Sequence, residues 1–362
     1  MNNIRKIGLT ALAGSLVTLG SAVAGEMSVS GSINTTLKFG KSSAGTNNTA
    51  RSIGTDRDVT FSGGGELDNG TTFSMSTTLD DDYAVSDSVT TITTPSYGSF
   101  TMGSSTGSAS YMYDEEVPKA YEEVSDAKQT MANQVGNFMD SNHIMYTPPA
   151  LELMGATFQA HLGYSPQATD TNVSDGGQST YSATWGAGQE LGLTVSYEGL
   201  KAGFYGAERE ATTPNATSGQ LIGDPFEGAW YVKYTMGPVS IGYTESYLDG
   251  GVTKALEAST ASKTERTAGG IFTGEQMSIA FNVNDNMSIS YTTSDETYDT
   301  QDDAKTAVTT DNDVTETIDA LQVAYSMGGM SIKAYNMEVS NPDQDDDAAD
   351  QSVTEIALGF AF

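Results

Sequence analysis

Met277-Ser278-Ile279-Ala280-Phe281-Asn282-Val283-Asn284-Asp285-Asn286-Met287-Ser288-Ile289-Ser290-Tyr291 reads as a β-hairpin. Met277, Ile279, Phe281 and Val283 share one face of the first arm, and Ser278, Ala280 and Asn282 the other. In the second arm Met287, Ile289 and Tyr291 alternate with Ser288, Ser290 and Thr292. Successive strand side chains point to opposite faces, so each arm is apolar on one side and small and polar on the other. Asn284-Asp285-Asn286 tolerates the left-handed backbone of a tight turn.

The same pattern recurs outward from this hairpin. Val29, Ile33, Leu37 and Phe39 lie on one face of 27–39, against Ser, Asn, Thr and Lys. Ala156, Phe158, Ala160, Leu162 and Tyr164 repeat it, as do Leu191, Leu193, Val195 and Tyr197. Trp230, Val232, Tyr234 and Met236 lead into Val239, Ile241 and Tyr243. Seven short links join such runs: 67–70, 95–98, 148–155, 198–199, 236–238, 284–286 and 328–329. Eight longer, acidic excursions lie between them, at about 40–55, 80–87, 105–141, 165–189, 209–226, 249–273, 296–315 and 340–352. Fifteen connections predict sixteen strands. Runs of about ten residues suit a tilted strand that crosses a bilayer. An even count with both chain ends on the short-turn side is the topology of a bacterial outer-membrane barrel. Residues 88–94 and 165–189 read least clearly, and Tyr181 and Trp185 hint at a strand inside the second.

Composition excludes other classes. The chain has 362 residues, 47 acidic and 16 basic, for a net charge of −31. That charge repels nucleic-acid phosphates, so no nucleic-acid partner is expected. No long apolar run follows the N-terminus, which excludes a helical membrane bundle. There is no cysteine, and only His143 and His161, so thiolate and multi-histidine metal sites are out. With 39 glycines and 9 prolines the chain reads as many strands and turns. Gly-x-Ser-x-Gly is not present as a strand-to-helix nucleophile turn, and no enzyme is expected. An enzyme would have to lose activity on changing His143 or His161. His161, on a polar face, reads as a hydrogen-bonded wall residue.

The two ends carry addresses. Arg5 and Lys6 precede an apolar run from Ile7 to Gly20, and Ala22-Val23-Ala24 supplies small residues for cleavage. Residues 1–24 are therefore expected to be a secretory signal peptide, and 25–362 the barrel. At the other end Ile356, Leu358, Phe360 and Phe362 share a face, and the chain stops on the aromatic. This terminal strand resembles the insertion signal of outer-membrane barrels, which the barrel assembly machinery reads.

Taken together, the chain resembles a Gram-negative general porin of alphaproteobacterial type. The residues that carry this are 281–291, the terminal Phe362, and Tyr97-Gly98-Ser99-Phe100-Thr101-Met102-Gly103, which resembles the strand entering the family's constriction loop. Asn142-His143-Ile144-Met145-Tyr146-Thr147-Pro148 resembles the strand leaving it. The resemblance implies an all-β, 16-stranded antiparallel transmembrane barrel, a homotrimer, and a third extracellular loop (105–141) folded inward. It implies an integral outer-membrane location, among lipid and lipopolysaccharide.

That loop holds Asp114, Glu115, Glu116, Glu122, Glu123, Asp126 and Asp140. Folded inward, these carboxylates would concentrate cations and deter anions. Pro118 to Met131 has weak helical spacing, which predicts a short helix. Family porins set a basic cluster on the facing wall, and here lumen parity supplies only Lys38, Lys201, Lys233 and Lys333, with Arg57 near a rim. The function predicted is passive diffusion of small hydrophilic solutes and ions with cation preference. Two other readings stay open: a channel selective for sugars or polyamines, with Tyr205, Tyr231 and Tyr335 as a stacking path, and a secreted, non-channel all-β binding or adhesive protein. No cofactor is expected beyond Ca2+ or Mg2+ held loosely at Asp80-Asp81-Asp82, Asp302-Asp303, Asp311-Asn312-Asp313 or Asp345-Asp346-Asp347.

Overall fold

A computed structural model describes residues 26–42, 49–104, 108–126, 135–136, 138–139, 141–168, 185–211, 223–251, 271–299 and 313–362. The expected signal peptide at 1–24, Asp140, Tyr181, Lys128, Met131, Asp302, Asp303, Asp311 and Asn312 lie outside these residues.

The strands are β1 (Glu26–Ser42), β2 (Thr49–Glu66), β3 (Thr72–Leu79), β4 (Val85–Thr94), β5 (Gly98–Ser104), β6 (Ser141–Thr147), β7 (Leu151–Leu153), β8 (Ala156–Ser165) and β9 (Trp185–Tyr197). There follow β10 (Leu200–Ala211), β11 (Phe226–Met236), β12 (Val239–Asp249), β13 (Ile271–Asn284), β14 (Met287–Asp299), β15 (Val314–Met327), β16 (Met330–Ser340) and β17 (Gln351–Ala361). All pairings are antiparallel and join chain neighbours except β6 with β8 and β1 with β17, the last of which closes the ring. β6 and β7 both pair with β8, so they form one stave interrupted by Pro148 and Pro149. Proline has no N–H to give to a ladder. The barrel therefore has sixteen staves, and closure leaves no open edge, as a lipid surrounding demands.

Alternation fixes which face looks out. Ile279 is 49% exposed while its neighbour Ser278 is 4% exposed. Cross-strand register keeps the outward row together: Ile241 faces Ile279, and Ile279 faces Tyr291. At the seam Ile33 faces Phe360 and Leu37 faces Ile356, while Lys38 faces Glu355 on the inner side. The last residue finishes the closure, since Gly31 N–H donates to Phe362 O at 2.9 Å and Phe362 N–H donates to Gly31 O at 3.0 Å. Ile356, Leu358 and Phe360 are exposed on the outer wall.

Six of the seven short links fall where the sequence places them, whereas the link expected at 148–155 contains β7, so the chain reverses only at 154–155. Gly98, in the second, has φ +84° and lies so close to Thr147 and Pro148 that a Cβ would meet their backbone. Three expectations change. β1 runs to Ser42 and β2 starts at Thr49, inside the excursion expected at 40–55. Ladder hydrogen bonds extend a strand beyond the bilayer without any apolar face. Trp185 opens β9, so the excursion after β8 is shorter than 165–189. The helix expected from Pro118 does not appear in the described part, where only a 3-10 turn, Val124–Asp126, forms. The backbone N–H groups of Ala120 and Tyr121 are spent on wall side chains instead of on the preceding turn.

Candidate functional site

The long connection between β5 and β6 carries the acids singled out in the sequence. Its described part, residues 108–126 with 135–136 and 138–139, makes contacts with the polar face of many staves. Ala109 N–H donates to Glu190 Oε1 on β9 at 3.0 Å. Gly136 N–H donates to Glu227 Oε1 on β11 at 3.0 Å. Gln276 Nε2 on β13 donates to Glu115 Oε2 at 2.8 Å. Ala120 N–H donates to Ser290 Oγ on β14 at 2.9 Å, and Ser278 Oγ on β13 donates to Pro118 O. Gln322 on β15 accepts from Tyr121 N–H at 2.8 Å and donates to Glu122 O at 2.6 Å. Tyr121 Oη donates to Glu355 Oε1 on β17 at 2.8 Å. These bonds satisfy backbone groups that the irregular chain would otherwise bury unpaired.

Side-chain packing adds to them. Tyr113, 0% exposed, stacks on Tyr205 at 5.5 Å between ring centroids, with Tyr231 at 6.1 Å and His161 edge-on at 6.4 Å. Gly192 and Gly203 leave the room that ring occupies. Tyr121 and Val124 pack with Ile318, Ala320, Tyr335 and Met337. Phe138 and Met139 join Tyr113 and Tyr205 in a second cluster.

The acids of the segment have different fates. Glu115 is 2% exposed, and burial above all, then Glu123, pushes its carboxyl up to about 7. Burial first, then Glu115, raises Asp114 as well, while its Oδ1 accepts from Val135 N–H at 2.9 Å. Glu116 pairs with Lys233 and, at 3.8 Å, with Lys201. Glu123 pairs with Lys119. Glu122 is half-buried and its carbonyl is the Gln322 acceptor. Asp126 ends the 3-10 turn.

The basic set divides as well. Lys38 lies 3.7 Å from Glu355, and Lys333 sits over the Tyr121 ring at 4.8 Å. Lys201 and Lys233 both meet Glu116 and both lie over the Tyr231 ring. Arg57 is on the other face. Register pairs it with Ile33 on the outward row, and its guanidinium lies 3.3 Å from Asp81. The sequence reading set Arg57 on the pore wall, but alternation carried back from Val59 and Phe61, exposed on the same face of β2, puts it outside.

Sequence reading missed the wall partners. Glu190, Glu227, Gln276, Gln322 and Glu355 stand on every second stave from β9 to β17. Each is a long polar residue at an inward position of an otherwise small-residue face, and that departure was the available signal. Among the described residues no three Asp, Glu or His side chains gather as a metal-holding group.

A sequence profile described as Gram-negative porin matches residues 8–297. No curated protein sequence matches the chain. Solved structures give the same fold at low identity. The outer membrane protein OmpT of Vibrio cholerae, folded in vitro and in trimer form, is 15% identical with a TM-score of 0.59, covering 94% of this chain and 100% of that one. OmpF of Salmonella typhi, in complex with daunomycin, is 10% identical with a TM-score of 0.64, covering 94% and 98%. An anion-selective porin from Comamonas acidovorans is 12% identical with a TM-score of 0.64, covering 93% and 100%.

Proposed function

The chain belongs to the Gram-negative porin family, whose members are integral β-barrel channels of the outer membrane, and we propose that it passes small hydrophilic solutes and ions by passive diffusion, with preference for cations. In this reading the segment after β5 lies within the lumen as a constriction. The observation that carries it is the set of hydrogen bonds from residues 109–136 to Glu190, Glu227, Gln276, Ser290, Gln322 and Glu355, all on the face opposite the exposed apolar rows. Hydrogen bonds from so short a chain to alternate staves from β9 to β17 on that face support a path across the inside of the ring.

An acidic passage of this kind concentrates cations, because low-dielectric walls focus the field of their carboxylates. The same fold in Comamonas acidovorans is described as anion-selective, so preference resides in side chains and not in the barrel. The tyrosines of the sugar or polyamine reading, Tyr205, Tyr231 and Tyr335, are buried beneath the segment, which favours the general channel. The remaining parts of the proposal are a homotrimer, as OmpT of Vibrio cholerae has a trimer form, a signal peptide at 1–24, insertion through Phe362, and transport without catalysis. Reversal potentials in a planar bilayer under a KCl gradient test the central claim. A cation-sided potential is expected, and a reproducible anion-sided one overturns it.

A further inference from the structure

We infer that charge selection is made by three carboxylates of the barrel wall, Asp56 and Asp58 on β2 and Asp87 on β4, and not by the acids of the segment that faces them. The inference rests on the channel reading above and names the residues that give it its preference.

The first support is where the inner wall is open. Inward side chains from β13 to β16, such as Gln276, Ser290 and Gln322, are buried under the segment. On β2 and β4, by contrast, Asp56 is exposed, and Asp58 and Asp87 are half-buried. Water therefore reaches the wall at β2 to β4.

The second is register. Asn34 on β1 faces Asp56, and Ser32 faces Asp58 and donates to its Oδ2 at 3.3 Å. In the next inward row Ser30 faces Thr60, Thr60 faces Thr78, and Thr78 faces Asp87. The three carboxylates thus occupy adjoining rows. Asn34 also hydrogen-bonds Tyr121, so the row that holds Asp56 also meets the far anchor of the segment.

The third is the balance of charge. The segment's acids are largely answered: Glu116 by Lys201 and Lys233, Glu123 by Lys119, and Glu115 by enclosure against Gln276. Among the described residues the wall's acids have no such cationic partners, and Arg51 and Arg57 lie on the outward rows beside Phe39 and Ile33. Among the described residues the inward positions of β2 to β5 carry no Lys or Arg. Where the family resemblance implied a basic wall, this wall is acidic, and its net charge falls on water that ions must cross. A field confined between low-dielectric walls is not dissipated as it is in bulk salt.

The experiment compares bilayer reversal potentials of the full barrel with those of the Asp56→Asn/Asp58→Asn/Asp87→Asn variant. The cation-to-anion permeability ratio is expected to fall about threefold or more, and Glu116→Gln/Glu123→Gln to change it less. A cation-preferring wild type whose triple variant keeps the ratio overturns the inference and leaves the channel reading intact. An anion-preferring wild type overturns both. Because the chain lacks cysteine, Asp56→Cys in the otherwise native barrel gives a second readout on one folded protein. A cationic thiosulfonate label is expected to lower the ratio and an anionic one to restore it, and equal effects of the two labels overturn the inference.

Discussion

The phenol of Tyr121 donates to Glu355 Oε1 across 2.8 Å, joining a loop to a stave 234 residues further along the chain. Both side chains are buried, so neither has water as an alternative partner. A hydrogen bond to a charged acceptor contributes about 1.5–3 kcal/mol. Tyr121→Phe removes it and leaves Glu355 to Tyr335 and Lys38. The docked segment is expected to open about tenfold more often or more. Trypsin cleavage after Lys119 in detergent-extracted barrels measures this, and an unchanged rate would deny the bond its anchoring part.

Gly192 is the floor on which the Tyr113 ring rests. A Cβ there would lie 2.5 Å from Tyr113 Oη and 2.6 Å from the ring. Gly192→Ala is expected to cost about 1–3 kcal/mol of docking and to push the ring toward the passage, lowering single-channel conductance. Tyr113→Ala in the same background vacates the space and is expected to recover conductance. Failure of that recovery would separate the glycine from the ring.

Docking should weaken as pH rises. Glu115 has a carboxyl held near 7 when docked, against an ordinary value of 4.5. The docked state therefore binds the proton more tightly than the undocked one. Its advantage is full below about 4.5 and is lost as pH climbs through 7. Asp114 is shifted in the same direction. Trypsin cleavage is expected to be slower at pH 5.5 than at pH 8 once corrected for the protease's own profile, and Glu115→Gln to flatten most of that difference.

Closure at the chain end depends on Gly31 and Phe362. A Cβ on Gly31 would come within 2.8 Å of the Phe362 ring, and the pair exchanges two backbone hydrogen bonds. Gly31→Val, or removal of Phe362, is expected to reduce the fraction of barrel that reaches the heat-modifiable, compact form on a gel. Phe362→Tyr, which keeps ring and backbone, should behave as wild type.

The outward rows predict a depth-dependent penalty. Ile279→Arg places a charge mid-strand on the lipid side and is expected to cost about 2–4 kcal/mol, read by urea titration of vesicle-inserted barrel. Asn282→Arg, on the inner face, should cost far less. Equal penalties would contradict the assignment of faces.

Much of the fold was legible because lipid enforces a simple rule on every stave: apolar side chains on alternate positions, with turn chemistry wherever the chain reverses. That rule placed the hairpin at 277–291 and six of the seven short links. It lost its force at the far ends of β1 and β2, where Gly40–Ser42 and Thr49–Ser52 carry no apolar face, and it was not carried from Val59 and Phe61 back to Arg57, which shares their outward face. The site was less legible. The acids of the segment stood out as a charge run, but their neutralisation by Lys201, Lys233 and Lys119 depends on contacts between distant parts of the chain. Glu190, Glu227 and Glu355 looked like ordinary wall residues until a backbone N–H or a phenol arrived to use them.

Counting staves around the ring puts Glu190 on the eighth and Glu355 on the sixteenth, at opposite ends of a diameter. A hollow hoop resists stretching along its rim better than it resists being flattened. On the proposed path across the lumen, a chain tethered at both ends of a diameter acts as a tie-rod, so sideways pressure from crowded neighbours meets an internal brace and the aperture keeps its roundness.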